Sequence, residues 1–397
     1  MPTIILFDDP RIRVQLLPLT YTRPVAHIRC GIYKIFEKWN HWLQTTASFQ
    51  TSDYLASAFP AQTSTDNIYI NGSLCPDQNL VEAISNLTTE TALISQNEIL
   101  AVRSHALWNP GIDPDGFDKQ NYNAPFAAIR QVWDIFALNG EQIKADLETI
   151  KATRTSEPIT DPFTHCYNPE NVFIEKGAVI KAAILNAENG PIYIGRDALI
   201  QEGSTIQGPF AIGEGGVLAQ GTKIRPNTTI GPFCKVGGEV SNCVLIGYSN
   251  KGHDGYLGNS VLGEWCNLGA NTNNSNLKND HSNVKLHSYV SNDLEDTGLR
   301  FCGLIMGDYS KAGISTMFNT GSVVGVSVNV YGAGFQAKHT PSFSWGGQAE
   351  GFFEYRFQKA LAVAKDTVGR RGVTFSEEDE RILKAIFEQT QMQRNFD

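Results

Sequence analysis

The sequence lacks several features that would define common protein classes. No apolar run approaches the roughly 20 residues of a membrane-spanning helix. The seven cysteines show no Cys-x-x-Cys spacing, which argues against a disulfide framework or a zinc site. Lys and Arg number 32 against 41 Asp and Glu, and the net charge of -9 argues against nucleic-acid binding, which needs a basic face. No basic segment or small-residue cleavage pattern precedes Asp8, so we expect a globular, cytoplasmic protein without membrane or nucleic-acid partners.

Glycine is concentrated in one part of the chain, and that part is repetitive. Of the 36 glycines, 26 lie between Gly177 and Gly334. Within this segment every sixth residue is aliphatic over eight successive repeats: Ile194, Ile200, Ile206, Ile212, Leu218, Ile224, Ile230 and Val236. The same column reappears further along as Met306, Ala312, Phe318, Val324 and Val330. A period of six excludes a helical stripe and predicts a parallel β-helix, in which each hexapeptide supplies one short strand and one turn.

The rest of the chain divides around this repeat. Residues 1–160 have the pattern of a mixed α/β domain, with a buried strand at Thr3–Phe7 and helices at Ile32–Leu43 and Ala127–Ala152. The β-helix is predicted over 168–335, interrupted by an Asn-rich loop excursion from Asn271. Residues 336–397 are predicted to be a helical cap that shields the end of the β-helix. Its helices are expected at Glu350–Thr367 and Ser376–Gln391, the second capped by Ser376.

Four sequence strings resemble a known enzyme family. They are LLPLTYTRPVAHIRCGIYKIFEKW from Leu16, KIRPNTTIG from Lys223, NKGHDGYLG from Asn250 and CNLGANTNNSN from Cys266. They are similar to the bifunctional N-acetylglucosamine-1-phosphate uridylyltransferases and glucosamine-1-phosphate N-acetyltransferases, of which this chain looks like an atypical branch. The resemblance implies a Rossmann-like nucleotidyltransferase domain followed by a left-handed β-helix. It also implies a homotrimer that binds acetyl-CoA between adjacent β-helices and acts in UDP-N-acetylglucosamine synthesis.

The resemblance also implies roles for individual residues of the acetyltransferase half. His253 matches the catalytic base and Asn267 its hydrogen-bonding neighbour. Tyr256 matches a substrate contact, Asn276 a residue near the sugar amine and Arg225 a residue that holds the substrate phosphate. A family lysine is replaced by Gly237, so Lys251 and Arg225 are candidates to compensate for it.

The chemistry of histidine supports the role implied for His253. Acetyl transfer to an amine needs a group that accepts the amine proton near neutral pH, and imidazole is the side chain best suited to do so. Asn267 can orient the amine or the thioester oxygen, whose developing charge needs fixed donors. His253 and Asn267 are therefore the predicted catalytic residues.

The N-terminal half departs from the family pattern at its two hallmarks. Strand one runs into FDDPRIR from Phe7, without the glycine-rich loop that wraps a triphosphate. The strand expected to end in Gly-Asp ends in Asn71-Gly72. In their place, Asp8 or Asp9 is a candidate to reach Mg²⁺, and four arginines are candidates to hold phosphates: Arg11, Arg13, Arg23 and Arg29.

These observations leave three functions open. The leading hypothesis is an enzyme that acetylates glucosamine-1-phosphate or a similar amino sugar with acetyl-CoA and also transfers a nucleotide from UTP or dTTP to the sugar phosphate. The second keeps the acetyltransferase but makes the N-terminal domain a catalytically inactive sugar-nucleotide-binding module. The third is a non-enzymatic regulatory subunit, which would not need the retained spacing of His253, Tyr256 and Asn267.

Overall fold

A computed structural model describes residues 2–111, 116–394 and 396. Its internal contacts divide the chain into two compact units. The N-terminal unit comprises Tyr33–Val132 and the residues up to Ile28. The solenoid unit comprises Arg29–Ile32 and the chain from Trp133 onward. The predicted boundary near residue 160 therefore lies within the second unit.

The N-terminal unit is built on a mixed sheet in the order β2-β1-β3-β6-β5-β7. Strand β1 pairs in parallel with β2 and β3, whereas β6 is antiparallel to both β3 and β5. Ile5, Phe7 and Tyr69 contribute to its buried apolar core. The strands are β1 Thr3–Phe7, β2 Ser48–Gln50, β3 Asn67–Asn71, β4 Leu74–Cys75, β5 Thr91–Ser95, β6 Glu98–Ser104, β7 Asp118–Asn121 and β8 Ala127–Ala128. The helices are α1 Pro10–Gln15, α2 Ile35–Leu43, α3 Asp53–Ala56 and α4 Gln78–Ser85.

The sequence predicted the first strand correctly but misplaced two helix starts. Helix α2 begins at Ile35 rather than Ile32. The helix predicted over Ala127–Ala152 begins only with α5 Asp134–Ala137 and continues as α6 Asn139–Lys151. Its first residues instead form β8, which pairs with β4. Alanine is compatible with either state, so tertiary strand pairing decided the outcome.

The solenoid is a coil of short parallel strands arranged in three sheets. Ile194 pairs with Ile212, which pairs with Ile230, so one coil takes 18 residues, or three hexapeptides. The first sheet contains β10 Val172–Ile174, β13 Ile192–Ile194, β16 Phe210–Ile212, β19 Thr228–Ile230, β22 Val244–Gly247, β25 Val261–Glu264, β30 Leu304–Met306, β33 Ser322–Val324 and β35 His339–Thr340. The second contains β11 Val179–Ile180, β14 Leu199–Ile200, β17 Val217–Leu218, β20 Lys235–Val236, β23 Asn250–Lys251, β26 Asn267–Leu268, β31 Lys311–Ala312, β34 Asn329–Val330, β36 Ser344–Gly347 and β37 Gly351–Glu354. The third contains β9 His165–Tyr167, β12 Ile184–Asn186, β15 Thr205–Gln207, β18 Lys223–Ile224, β21 Glu239–Ser241 and β24 Tyr256–Gly258, and a further pair is β27 Asn273–Asn274 with β32 Met317–Phe318.

The aliphatic column forms the core of this coil, as predicted. All eight side chains from Ile194 to Val236 are at most 2% exposed. The second run, from Met306 to Val330, belongs to the same buried cluster. The predicted fold class is thereby confirmed as an α/β domain, a parallel β-solenoid and C-terminal helices, while the left-handed sense of the coil stays a prediction.

One corner of the solenoid is occupied by aromatic rings, which the sequence pattern did not reveal. Phe233, Tyr248, Trp265 and Tyr309 all adopt positive φ at this corner. Tyr248 stacks on Phe233 and on Trp265, with ring centroids 5.1 and 4.3 Å apart. The favourable stacking of these rings offsets part of the strain of a left-handed backbone at non-glycine residues.

The Asn-rich excursion is present and begins after β27. It contains an antiparallel hairpin of β28 Lys285–Ser288 and β29 Asp293–Asp296, and the coil resumes at β30. Asn274, which the sequence assigned to the loop, is instead buried in the coil, where its side chain bonds both backbone groups of Gly258.

The C-terminal helices lie along the flank of the second sheet. They are α7 Phe357–Gly369 and α8 Glu377–Gln389, the latter with the predicted Ser376 cap. Lys311 on β31 donates to Thr367 of α7, which shows that the helices cover a face of the coil. The solenoid also continues through β36, within the segment predicted to be helical, and Phe352 of β37 packs on its core. The helix predicted from Glu350 therefore begins only at Phe357.

Two further features agree with the sequence. Among the described residues no helix is both long enough and apolar enough to cross a membrane. All seven cysteines are free thiols, and every one except Cys166 is buried.

The inward column predicts a sharp contrast between two aliphatic side chains. Ile212→Ala removes a fully buried side chain from the close-packed coil and should lower the free energy of unfolding by about 2–4 kcal/mol. Val179→Ala, at a strand position that is 44% exposed, should lower it by less than about 1 kcal/mol. Urea denaturation followed by circular dichroism would measure both, and equal losses would contradict the inward assignment.

Candidate functional site

The predicted catalytic histidine lies in the turn between β23 and β24. His253 is exposed, and its ring makes no hydrogen bond within the described part of the chain. The turn is stacked between two others: Gly237 lies in the coil before it, and Asn271 in the coil after it donates its amide to the carbonyl of Asp254. The imidazole is therefore presented to solvent on a turn whose backbone is held on both sides.

Lys251 points into the coil rather than out to a ligand. It occupies an inward position of the column, in register with Val236, and is 1% exposed. Its Nζ donates to the carbonyl oxygens of Gly237 and His253, at 2.9 Å each. Burial lowers the pKa of Lys251 to about 8. The substrate contact predicted for Lys251 does not match this placement, because the ammonium is enclosed by the two turns.

Asn267 lies one coil further along, on the outer face of the second sheet. It pairs with Asn250 on one side and Lys311 on the other. Its side chain is half-buried and, within the described residues, makes no hydrogen bond. Arg371, which follows α7, donates to Asn250 Oδ1 at 2.7 Å, so the C-terminal segment reaches this column. The predicted pair His253 and Asn267 thus lies on adjacent coils, with both side chains uncommitted.

Tyr256 on β24 and Asn276, just after β27, form a pre-arranged pair. Asn276 Nδ2 donates to the Tyr256 hydroxyl at 3.0 Å and to Asn259 Oδ1 at 2.8 Å. The backbone amide of Tyr256 donates to Asn273 Oδ1. Burial raises the pKa of Tyr256, so the phenol stays protonated at neutral pH. The spacing predicted from the sequence therefore brings these two side chains into direct contact.

Arg225 belongs to the same outer face but is committed to a partner. Its Nε lies 3.2 Å from Glu239 Oε1, and Glu239 is the strand neighbour of Tyr256. Arg225 lies two strands from the Tyr256 coil, about 10 Å away at the usual strand spacing. Glu239 was missed by sequence reasoning because only the register of the coils brings it between these two residues.

Lys235 is the exposed cation beside the His253 turn. A Cβ added at Gly252 would lie 3.8 Å from Cγ and Cδ of Lys235, so the lysine stem runs along the turn. In the sequence it lies two residues before Gly237, the position where the family lysine is missing. Unlike Lys251, this lysine is accessible from solvent.

The N-terminal unit has its own cavity at the carboxyl end of β1. Its volume is about 610 Å³, and the sheet edge where β1 ends is a common ligand position in α/β folds. The cavity is lined by Phe7, Asp9, Pro10, Arg11, Ile94, Asn97, Ile99, Trp108, Pro110, Gly111 and Lys119. Two of the predicted nucleotide-site residues, Asp9 and Arg11, are therefore in its wall.

Asp8 and Arg13 form a buried ion pair behind this wall. Arg13 Nη1 lies 2.8 Å from Asp8 Oδ2, and both side chains are under 10% exposed. Asp8 also accepts from Thr51 and from the amide of Val25, and Arg13 donates to the carbonyl of Thr20. Burial raises the pKa of Asp8 despite these partners. Both residues hold the chain together after β1, and neither lines the cavity.

The donor groups predicted for Mg²⁺ do not fit a metal site. Asp9 caps α1 and binds Arg11, and although burial opposes it, the hydrogen bonds from Arg11 lower the pKa of Asp9. Asn71 lies at the end of the strand where Gly-Asp was expected, and its side chain accepts from the hydroxyl of Ser73 and donates to the carbonyl of Ile99. No cluster of three or more His, Cys, Asp or Glu suited to a metal occurs in the described ranges.

The remaining two arginines predicted for phosphate lie away from the cavity. Arg23 is 4% exposed and does not line it. Arg29 belongs to the solenoid unit, where its Nε donates to the carbonyl of Ile246 at 3.0 Å and Nη1 donates to that of Ile32. Of the four predicted arginines, only Arg11 is placed to meet a ligand.

The buried amine of Lys251 predicts a specific dependence of stability on pH. Its pKa is about 8 in the folded chain against 10.5 in an exposed lysine, so between these values the unfolded chain binds more protons and stability rises with pH. Relative to Lys251→Met, the wild-type free energy of unfolding should rise by up to about 3 kcal/mol across this window. Urea titrations at pH 7, 8, 9 and 10 would test this, and parallel pH curves would contradict it.

Comparison with known proteins finds one matching family model and several relatives. A family model described as Sugar nucleotidyl transferase matches residues 4–155. The bifunctional protein GlmU of Methanocaldococcus jannaschii is 38% identical over 104 residues, which are 26% of this chain and 25% of that protein. The bifunctional sugar-1-phosphate nucleotidylyltransferase/acetyltransferase of Sulfurisphaera tokodaii is 32% identical over 144 residues, 36% of this chain and 35% of that protein.

The chain thus spans about a quarter to a third of the length of these relatives. Among solved structures, Arabidopsis UDP-N-acetylglucosamine acyltransferase is 13% identical, covering 58% of this chain and 90% of its own. The TM-score of this pair is 0.24. The resemblance seen in the sequence is confirmed: a sugar nucleotidyl transferase-like segment precedes a parallel β-solenoid, in a chain similar to bifunctional nucleotidylyltransferase/acetyltransferases.

Proposed function

We propose that the solenoid transfers an acetyl group from acetyl-CoA to the amine of glucosamine-1-phosphate or a similar amino sugar phosphate. The observation that carries this proposal is the placement of His253 and Asn267, two uncommitted polar side chains on adjacent coils. Tyr256, which is paired with Asn276, lies on the strand that follows the His253 turn. A scaffold has no need for free hydrogen-bonding groups beside a pre-arranged pair, whereas an acyl-transfer site does.

In the proposed reaction His253 is the general base. The sugar amine attacks the thioester carbonyl, and the ring accepts the amine proton as the C–N bond forms. The C–S bond then breaks, and the thiolate of CoA takes up a proton as it leaves. Asn267 donates to the thioester oxygen while it carries negative charge. Tyr256 and Asn276 position the sugar, because their mutual hydrogen bond fixes both side chains before the substrate arrives.

Two cations are proposed to bind the phosphate of the acceptor. Lys235 runs along the His253 turn and is exposed, and Arg225 lies on the outer face that carries Tyr256. Arg225 is half neutralised by Glu239, so Lys235 supplies most of the attraction near the turn. This set replaces the role that the sequence gave to Lys251.

The proposed oligomeric state and cellular location follow from the resemblance. We propose a homotrimer in which acetyl-CoA lies between adjacent solenoids, as the similarity to the bifunctional enzymes implies. The apolar residues Tyr167 and Ile184 are 53% and 43% exposed on the third sheet, which agrees with a surface that a neighbouring subunit covers. We place the protein in the cytoplasm, where its seven free thiols remain reduced.

For the N-terminal unit we propose binding of a nucleoside triphosphate, UTP or dTTP, and transfer of its nucleotide to the sugar phosphate. The match to the sugar nucleotidyl transferase family and the cavity at the end of β1 support this. Apolar walls such as Trp108 and Ile99 suit a base, while Arg11 and Lys119 suit phosphates.

A second candidate is a nucleotide-binding unit without transfer activity. The commitment of Asp8 to Arg13, of Asp9 to Arg11 and of Asn71 to Ser73 favours it, because no predicted metal donor is free. In that case the unit delivers or senses a nucleotide sugar, and the solenoid alone performs chemistry.

His253→Ala should reduce acetyl transfer by at least about 100-fold, since it removes the proposed base. Thiol release from acetyl-CoA with glucosamine-1-phosphate as acceptor would measure this. His281→Ala, at another exposed histidine in the excursion, is the matched control and should change turnover less than about 3-fold. A wild-type protein that releases no thiol with any amino sugar phosphate would rule out the acetyltransferase and favour a regulatory role.

Arg11→Met should weaken binding of UTP or dTTP about 10-fold, because Arg11 is the predicted arginine that lines the cavity. Isothermal titration would measure the affinity, and pyrophosphate release with N-acetylglucosamine-1-phosphate would measure transfer. Arg196→Met, at an exposed arginine paired with Glu214, should leave affinity unchanged. Binding without pyrophosphate release would establish the second candidate, and the absence of any nucleotide binding would overturn both.

A further inference from the structure

Lys251 breaks the pattern of the column in which it lies. The neighbouring inward positions of the second sheet are aliphatic: Ile200, Leu218, Val236 and Leu268. A lysine in this column is costly, because an ammonium loses its hydration when it enters an apolar core. The sequence therefore keeps a residue that the packing of the coil alone would reject, and such exceptions tend to lie at functional sites.

The contacts of the ammonium show what it does. Nζ donates to the carbonyl of His253, two residues further along, and to the carbonyl of Gly237 in the turn of the preceding coil. One side-chain group thus joins the His253 turn to the turn beneath it. Gly237 Nα also donates to the Lys251 carbonyl at 2.7 Å, so the two turns are connected through both ends of this residue.

The turn below leaves room for this ammonium. Gly238 has φ +73°, and a Cβ added there would lie 2.9 Å from Lys251 Nζ and 2.5 Å from the carbonyl oxygen of Gly255. Any side chain at this position would strain the backbone and crowd the ammonium. The Gly237-Gly238 pair, in the segment where the family lysine is missing, is therefore explained by the lysine that enters from the next coil.

We propose that Lys251 is a positioning residue for the proposed acetyl transfer, holding the His253 turn from inside the coil so that the imidazole meets the amine. This inference rests on the proposed function of His253. The lysine touches neither substrate nor reacting atoms. It acts by fixing the carbonyl of His253, and with it the backbone that carries the imidazole.

The test compares Lys251→Met with the wild type in the full-length chain. Methionine keeps the unbranched shape of the lysine side chain as far as Cε and has the apolar character of the column, so the variant should fold and be at least as stable at pH 7. The proposal expects kcat to fall about 10- to 100-fold while KM for acetyl-CoA changes less than about 3-fold, since a small misplacement of a catalytic group is costly. Lys338→Met is the control: Lys338 also donates to a backbone carbonyl, that of Lys285, and within the described ranges it makes no hydrogen bond to a residue of the site.

Hydrogen exchange measured by mass spectrometry supplies a readout that does not need activity. In Lys251→Met the amides of residues 252–258 should exchange at least about 10-fold faster, while those around Lys338 should not change. If Lys251→Met fails to fold, Lys251→Leu, which copies Leu268, replaces it in both measurements. Unchanged exchange of this segment, or an unchanged kcat in an active enzyme, overturns the proposal. If the wild type transfers no acetyl group but Lys251→Met still shows the faster exchange, the proposed function alone is overturned. The contact by which Lys251 fixes the turn would then still stand.

Discussion

Burial of one aliphatic side chain in every six residues holds the three sheets of the solenoid together, and the position of each functional group depends on it. The column points inward without interruption from Ile194 to Val236. Because successive coils stack in register, residues 15 to 18 apart along this part of the chain become neighbours. The buried apolar column therefore fixes the register of the coils. Polar residues that are one coil apart in sequence are thereby brought together on the outer faces and turns.

The fixed register of the coils explains how a site can be built from short turns that have little stability of their own. His253 is carried by a turn, yet that turn is stacked on Gly237 below and bonded to Asn271 above. The buried ammonium of Lys251 adds a side-chain connection between the same layers. Burying this ammonium costs free energy of desolvation. The buried charge positions the exposed imidazole of His253 and does not serve to stabilise the fold.

The N-terminal unit shows the opposite use of charge. The turn after β1, where related enzymes have glycines that wrap phosphates, is closed by the ion pair of Asp8 with Arg13 and by the Asp9 cap of α1. These contacts make the turn rigid and consume the carboxylates that a metal would need. What is left for a ligand is a cavity with apolar walls and two cations, Arg11 and Lys119. In the proposed function this cavity binds the nucleotide, and the commitment of Asp8 and Asp9 departs from the pattern of the family that the sequence resembles.

The repeat and the presence of an α/β part before it could be predicted from the sequence, which also offered the residues around His253 as candidates, whereas the boundary predicted near residue 160 lies within the solenoid unit. These predictions were possible because a period of six in buried aliphatics has few structural solutions, and because the spacing of His253, Asn267 and Asn276 is local. Tertiary structure alone decided which charged residues are available to a ligand. Composition cannot distinguish Arg11, which lines a cavity, from Arg13 and Arg29, whose guanidinium groups are consumed by buried carboxylate and carbonyl partners. It likewise could not show that Lys251 points inward, because the direction of a side chain is set by strand register, and register is a property of the stacked coils.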